Sequence, residues 1–156
     1  MKKVFSLLCV ACLALMMVAC GGSSNKEYNV ADVLAALDKA NPLADSRSVT
    51  EDDVNLSMNL SSDMYEEFAG SIGSDEITGA MNLVIKAADG KAEDVKKALE
   101  TYRSNLISVR ESYAPDAAAV LKDGRIEAKG NYVVLSLGAS SDVYPAVDTA
   151  ISDTFK

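Results

Sequence analysis

A predicted β-hairpin near the C-terminus constrains the fold more than any other stretch of this chain. The segments 125–129 and 132–137 alternate in polarity and are separated only by Gly130-Asn131. A two-residue loop that begins with glycine suits a type II′ turn, whose first position needs a positive φ. The two segments are therefore predicted to form an antiparallel pair with a fixed register.

This register decides which side chains share a face of the hairpin, because successive side chains of a strand point to opposite sides. It pairs Lys129 with Tyr132, Ala128 with Val133 and Ile126 with Leu135. One face carries Ile126, Ala128, Val133, Leu135 and Leu137. The other carries Arg125, Glu127, Lys129, Tyr132, Val134 and Ser136. We expect the second face to be mostly wet, which is typical of an antiparallel sheet with helices on a single side.

A long amphipathic helix is predicted before the hairpin, over residues 92–113. Its larger apolar residues recur every three or four positions and so form one stripe. They are Val95, Leu99, Tyr102, Leu106, Val109 and Tyr113. Pro115 ends the helix, since the residue before a proline disfavours helical geometry. Lys96, Arg103 and Arg110 share another face, which is either solvated or a landing surface for an anionic ligand or headgroup.

Shorter patterns predict the remaining elements. Residues 30–40 form a helix capped by Asn29 and stopped at Asn41-Pro42, and this helix either docks on the domain or lies on a membrane. Residues 81–87 alternate as a strand. A closing helix begins near Ser141 or Pro145, with Val143, Val147, Ile151 and Phe155 at a spacing of four. A short helix is possible after Thr50. The segment Met64 to Ile72 is compatible with both a helix and a strand.

The N-terminus has the pattern of a secretory signal over residues 1–19. A cationic start at Lys2 and Lys3 precedes an apolar run too short for a comfortable membrane span, which needs about 20 residues. The ending Met17-Val18-Ala19-Cys20-Gly21 resembles the lipobox of bacterial lipoproteins. The resemblance implies cleavage by signal peptidase II between Ala19 and Cys20, with a diacylglyceryl group on the Cys20 sulfur. Ordinary secretion and a retained apolar anchor are the alternatives.

Lipidation at Cys20 would divide the mature chain into two parts. Residues 20–28 form the lipidated cysteine and a flexible tether, and residues 29–156 form a single domain. Two acyl chains anchor a protein stably, so the expected location is the extracytoplasmic face of the cell membrane. Cys9 and Cys12 leave with the leader, and no thiol remains in the mature domain for a disulfide.

Composition excludes several classes of function. The sequence contains no histidine, which removes Ser-His-Asp and Cys-His catalysis and histidine-ligated zinc. It has no glycine-rich phosphate loop and no calcium-loop motif. Loss of Lys2 and Lys3 would leave 13 basic against 23 acidic residues, a net charge of −10. Nucleic acid is therefore an unlikely partner.

Carboxylates are the chemical groups that remain in quantity. They cluster at Glu51-Asp52-Asp53, Glu66-Glu67 and Asp75-Glu76. Sequence neighbours on a surface segment point in different directions, whereas paired-carboxylate catalysis needs two acids that face each other. A solvated acidic surface is favoured over catalysis or weak cation binding. Tyr132, on the less buried hairpin face, either contacts a partner or simply covers the sheet.

Several motifs together resemble the domain of unknown function 4358 family, whose members are small bacterial lipoproteins with no assigned activity. They are the lipobox, the strand at 82–87, the helix residues 95–99, Tyr113-Ala114-Pro115 and the run from Lys129 to Val133. The resemblance covers Asn29 to Phe155. It implies that Met64 to Ile72 is a strand, and it brings no catalytic residue.

The predicted fold class is α+β. An N-terminal helix precedes a ββαββα order, and the two-layer unit has an antiparallel sheet covered on one face by helices. The sequence predicts no catalytic residue, no metal and no cofactor. The expected function is a non-enzymatic envelope binding or accessory module, with a protein partner favoured. The alternatives are a small-ligand-binding lipoprotein and an enzyme that uses carboxylates only.

Overall fold

The computed structural model describes residues 26–156, so the predictions for the leader, for Cys20 and for most of the tether lie outside the described residues. The elements in chain order are α1 (Val30–Ala40), β1 (Arg47–Ser48), a π-helical turn (Asp53–Ser57), β2 (Tyr65–Ile72), β3 (Met81–Ala87), α2 (Ala92–Arg110), α3 (Pro115–Lys122), β4 (Arg125–Lys129), β5 (Tyr132–Leu137), a 3₁₀ turn (Ser141–Val143) and α4 (Tyr144–Thr154). The predicted α+β class and the ββαββα order are confirmed.

The strands form one antiparallel sheet in the order β1-β2-β3-β5-β4. The hairpin has the predicted register, with Lys129 opposite Tyr132 and Ile126 opposite Leu135. Gly130 has a φ of 62°, as its place in the two-residue loop requires. The segment that was compatible with helix or strand is strand β2, which confirms the family's implication.

Helices cover both faces of this sheet, whereas the sequence predicts helices on one face. Helix α2 packs on the face that carries Leu83, Ile85 and Leu135. Helices α1 and α4 pack on the other face, over Val84 and Val134. The expected wet face is therefore buried at β5: Tyr132 is 1% exposed, and Val134 and Ser136 are fully buried.

The difference has a physical cause in the position of the two hairpin strands. The charged residues that make the second face look wet are Arg125, Glu127 and Lys129, and all three belong to β4 at the edge of the sheet. Edge strands commonly carry charges. Strand β5 is central, between β3 and β4, and its two faces are covered by α2 on one side and by α1 and α4 on the other.

The long helix differs from its prediction at the C-terminal end. Helix α2 ends at Arg110, and the apolar stripe is buried at Val95 and Leu99 but exposed at Val109 and Tyr113. Pro115 does stop α2, but it also occupies the first turn of α3, a helix that the sequence reading missed. Proline suits that position because the first helical N–H groups have no intrahelical partner.

A buried polar network fixes the C-terminal end of α1 against the sheet. Asn41 and Asn82 lie at 1% and 0% exposure, and the Asn41 amide donates to Asn82 Oδ1 at 2.9 Å. Asn82 in turn donates to Asp38 Oδ1 at 2.8 Å, and the Ser136 hydroxyl donates to Asn82 Oδ1. Because buried polar groups are costly unless bonded, this network specifies where α1 docks.

The start of the described chain packs against the end of it. The rings of Tyr28 and Tyr132 meet edge to face with centroids 5.4 Å apart, and Tyr28 lies 4.8 Å from Phe155. The Tyr132 hydroxyl accepts from the Tyr28 N–H at 2.9 Å and donates to the Tyr28 carbonyl at 2.8 Å. Lys26 Nζ donates to the Lys156 carbonyl. Residues 26–28, at the end of the predicted tether, thus contact the domain.

The sheet has two ends that matter for function. The hairpin end is defined by Tyr65, Ala87 and Tyr132, which are neighbours across β2, β3 and β5. The loop end is defined by Ile72, Met81 and Leu137 on the same three strands. The residue pair Tyr28 and Phe155 packs at the hairpin end.

Within residues 26–156, no helix combines the length and apolar character needed to cross a bilayer.

Candidate functional site

The basic residues of α2 hold the fold together instead of forming a shared surface for an anion. Arg110 is 7% exposed. Its guanidinium donates from Nε to the Ile77 carbonyl at 2.6 Å, from Nη2 to the Glu76 carbonyl at 2.6 Å, and from Nη1 to the Leu106 carbonyl at 3.2 Å. Arg103 donates to the Gly124 carbonyl at 2.6 Å. The predicted common face of Lys96, Arg103 and Arg110 is therefore not a free landing surface.

Arg110 shapes the loop that connects β2 to β3. Gly79 has a φ of 65°, and a Cβ at this position would lie 2.8 Å from Arg110 Nη2. Both the backbone conformation and the close guanidinium require glycine. The bonds from Arg110 and this glycine hold residues 75–79 against the C-terminal end of α2.

The loop end of the sheet contains a half-enclosed cleft of about 250 Å³. Its walls come from β1, the π-helical turn, the β2–β3 loop and α2. The charged and phenolic side chains that line the cleft are Arg47, Asp53, Asp75, Glu76, Tyr102 and Arg110. The volume lies just below the 300–1,000 Å³ that is usual for small-molecule sites.

Asp53 is held in this wall by a two-oxygen ion pair. Arg47 Nη1 and Nη2 donate to Asp53 Oδ2 and Oδ1 at 2.7 and 2.9 Å. The Thr50 N–H and hydroxyl also donate to Oδ2, while Thr50 Oγ1 accepts from the Asp53 N–H in a capping-box exchange. The Arg47 hydrogen bonds, followed by those of Thr50, hold the pKa of Asp53 well below its usual range. Asp53 therefore stays ionised near neutral pH and is unsuited to proton transfer there.

Loss of this ion pair should make the protein's stability less sensitive to acid. A lowered folded-state pKa contributes stability that is present above the unfolded-state value of about 4 and lost as pH falls below it. We expect Asp53→Asn to lower the urea midpoint at pH 7 and to show a smaller further loss between pH 5 and pH 2.5 than the wild type. Asp89→Asn, at an exposed acid without a salt bridge within residues 26–156, is the control. Equal acid sensitivity in Asp53→Asn and the wild type would contradict the prediction.

Tyr102 is the remaining polar group of the cleft wall. Burial raises the pKa of its hydroxyl, while the charge of Arg110 works in the opposite direction. The hydroxyl therefore stays protonated at neutral pH and can act only as a hydrogen-bonding group. Among the residues that the structure describes, no group of three His, Cys, Asp or Glu side chains is placed to hold a metal ion.

The predicted carboxylate clusters are spread over different parts of the domain. Glu66 pairs with Lys86 at 2.9 Å near the hairpin end. Asp53, Asp75 and Glu76 line the cleft, while Glu51 and Asp52 are exposed on the segment that leads into the π-helical turn. Tyr132, considered as a partner contact, is buried beneath Tyr28.

The cleft is bordered by segments that carry exposed apolar side chains. Four large apolar residues within 26–156 are strongly exposed: Leu56 at 78%, Val109 at 61%, Tyr113 at 59% and Ile77 at 57%. Leu56 belongs to the π-helical turn, Ile77 to the β2–β3 loop, Val109 to the last turn of α2, and Tyr113 to the turn that follows α2. We call these four residues the apolar rim.

Sequence reasoning missed the rim and the cleft. The heptad-like spacing of α2 places Val109 and Tyr113 with the core residues, although they are exposed. Leu56 and Ile77 did offer a signal, since each is a lone large apolar residue among polar neighbours, in Asn55-Leu56-Ser57 and Glu76-Ile77-Thr78. Isolated apolar residues are common on surfaces, so only their convergence on one cleft makes them informative.

A second, shallower groove runs between α1 and α4. It has a volume of about 650 Å³ and is lined mainly by small side chains, among them Ala36, Ala40, Ala146 and Ala150. Lys39 and Asp153 stand at its margin. It lacks the exposed large apolar groups that border the cleft.

Comparison with known proteins yields one family match. The family model described as a domain of unknown function, number 4358, matches residues 39–138, from the end of α1 to the residue after β5. No curated protein and no solved structure matches the chain at a significant level. The match spans more than half of the sequence and includes the whole sheet. The chain therefore belongs to the domain of unknown function 4358 family.

Proposed function

We propose that this protein is a bacterial lipoprotein, anchored through Cys20 on the extracytoplasmic face of the cell membrane, and that its domain is a non-enzymatic binding module for a protein partner. The apolar rim carries the proposal. Its four side chains are each more than half exposed, and three of them, Leu56, Ile77 and Val109, belong to segments that also line the cleft. Exposed apolar groups beside a groove are typical of interaction sites. The lipobox-like Met17-Val18-Ala19-Cys20 supports the location.

The chemistry of the cleft supports binding over catalysis. The Asp53 carboxylate forms an ion pair with Arg47, and Arg110 is bonded to backbone carbonyls. The pKa of the Tyr102 hydroxyl is raised. None of these groups forms the nucleophile and base pair that a hydrolytic site needs. The rival function is an enzyme that uses carboxylates only. Turnover of peptidoglycan fragments, glycosides or esters that is abolished by changing one Asp or Glu would favour the rival.

A photo-crosslinker placed at the rim tests the binding function. With a photoreactive phenylalanine analogue at position 77 in the native membrane, we expect a crosslinked product of defined mass. The same product should disappear when the rim is made polar by Val109→Ser with Leu56→Ser. These exposed residues contribute little to the core, so the free energy of unfolding should change only slightly, by about 0.5 kcal/mol or less per site.

The matched control changes two alanines that line the α1–α4 groove. Ala36→Ser with Ala146→Ser alters side chains of the helices on the opposite face of the sheet and should leave the crosslinked product unchanged. Loss of the product in this control, with retention in the rim variant, would transfer the partner site to the α1–α4 groove.

A further inference from the structure

We propose that the domain stands on the bilayer with its hairpin end toward the membrane and offers the apolar rim, away from the lipid, to a protein surface in which an apolar side chain is ringed by Lys or Arg. This inference rests on the proposed function, because it assumes the anchor at Cys20. The inference adds two things to that function: the orientation of the apolar rim relative to the membrane, and the chemistry of the protein surface that the rim binds.

The chain enters the domain at the hairpin end. Tyr28 is fixed there by its ring contact with Tyr132 and by two hydrogen bonds with the Tyr132 hydroxyl. Lys26 is held beside the C-terminal residue by its bond to the Lys156 carbonyl at 2.8 Å. The point of attachment to the membrane is therefore a defined place on the surface, and it lies next to the first residue of β5.

Two residues of the apolar rim, Ile77 and Val109, lie at the other end of the sheet. Strand β3 has seven residues and separates the two ends by about 20 Å. Helix α2 runs in the opposite sense to β3, from Ala92 after the hairpin end back to Arg110, whose guanidinium binds the β2–β3 loop. Ile77 and Val109 are thus carried by the end of the molecule remote from Lys26.

The short distance along the chain from Cys20 to Lys26 disfavours an inverted arrangement. Six residue steps reach about 20 Å even when fully extended. A domain of this size is about 35 Å across. With the loop end on the bilayer, the tether would have to be fully extended to reach Lys26. The short tether therefore favours an arrangement in which Ile77 and Val109 face away from the membrane.

The charges around the rim specify a basic partner. Four exposed acids flank it, Glu51, Asp52, Asp75 and Glu76, and none makes a salt bridge within residues 26–156. The nearby cations are already engaged, since Arg47 pairs with Asp53 and Arg110 binds carbonyls. Opposite charge at an interface rim raises the association rate and selects the partner. An apolar contact surrounded by Lys or Arg complements this surface.

Fluorescence energy transfer tests the orientation without any partner. The full lipidated protein is reconstituted in phosphatidylcholine vesicles whose headgroups carry an acceptor dye. The donor is attached through Glu76→Cys at the loop end or Asp89→Cys at the hairpin end. Both variants replace an exposed acid that has no salt bridge within residues 26–156, and acylated Cys20 offers no free thiol. We expect severalfold more transfer from position 89. Equal or reversed transfer would overturn the orientation.

A longer tether provides the control for this measurement. Insertion of twenty Gly and Ser residues between Ser24 and Asn25 should remove most of the difference between positions 76 and 89. A difference that persists unchanged would mean that the surface of the domain itself, instead of the tether, sets the orientation.

Charge reversal at the rim tests the chemistry of the partner. Glu76→Lys with Asp52→Lys should lower crosslinking from position 77 roughly tenfold, as expected for like charges at an interface, while Asp89→Lys with Glu67→Lys should not. The crosslinked partner peptide should contain Lys or Arg beside an apolar residue. Equal capture in both double variants, or an acidic partner peptide, would overturn this part. If no product forms even in the wild type, the proposed function fails, whereas the energy-transfer result stands by itself.

Discussion

Cys20→Ser is expected to move the protein from the membrane fraction to the soluble fraction, or to leave an uncut precursor. The proposed diacylglyceryl group would be joined to the sulfur atom of Cys20, and serine offers no sulfur. Two acyl chains bind a bilayer stably, whereas a protein without them keeps only weak surface contacts. Since no helix within residues 26–156 can span a membrane, the described domain has no such substitute. Fractionation of cells, with the mass of the mature chain, measures the effect.

The leader supplies a matched control for this experiment. Cys12→Ser changes another cysteine of the apolar N-terminal run, and because it is predicted to leave with the leader, membrane partition and mature mass should stay unchanged. Unchanged partition and mature mass in Cys20→Ser itself would overturn the anchor, and the proposed orientation with it.

Tyr132→Ala is expected to cost about 3 to 5 kcal/mol of unfolding free energy, the range for loss of a large buried aromatic side chain. Tyr132 is 1% exposed and fills the space between Tyr28, Phe155 and the sheet. Its removal leaves a cavity and also deprives the Tyr28 N–H of its acceptor. Urea unfolding of the soluble Cys20→Ser chain, followed by circular dichroism, gives the change directly.

Two further tyrosine variants separate the contributions. Tyr132→Phe keeps the ring but removes both hydrogen bonds to Tyr28, so we expect a smaller loss of about 1 to 3 kcal/mol. Tyr113→Ala removes a tyrosine of the exposed rim and should cost about 0.5 kcal/mol or less. A Tyr132→Ala variant as stable as Tyr113→Ala would show that the aromatic cluster does not hold the N-terminal segment.

The parts of the fold that local physics determines are predictable from the sequence. The Gly130-Asn131 loop fixes its own register, and the Asn29 side chain caps α1 by accepting from the N–H groups of Ala31 and Asp32. The coverage of the second face is different, because it depends on α1 and α4, which lie at opposite ends of the described chain. Polarity along the hairpin cannot reveal which of its strands is central.

The candidate site depends even more on contacts between segments that are distant in the sequence. Arg47, Tyr102 and Arg110 reach one cleft from β1 and from two separate turns of α2, and nothing in their local sequence connects them. The spacing of Arg103 and Arg110 correctly places them on one side of a helix, but it cannot show that backbone carbonyls occupy their donors. Nor can it show that Arg110 is buried against the β2–β3 loop while Val109, its neighbour in the last turn of α2, is 61% exposed.

The bond pattern of Arg110 also bears on how this surface can change during evolution. The guanidinium recognises only main-chain oxygens at positions 76 and 77, and every amino acid supplies the same oxygen. The bonds from Arg110 therefore do not depend on which side chains stand at these two positions, provided that Arg110 and Gly79 are kept. Relatives that keep both residues can exchange the exposed groups at 76 and 77, and hence their binding preference, while the loop retains its shape.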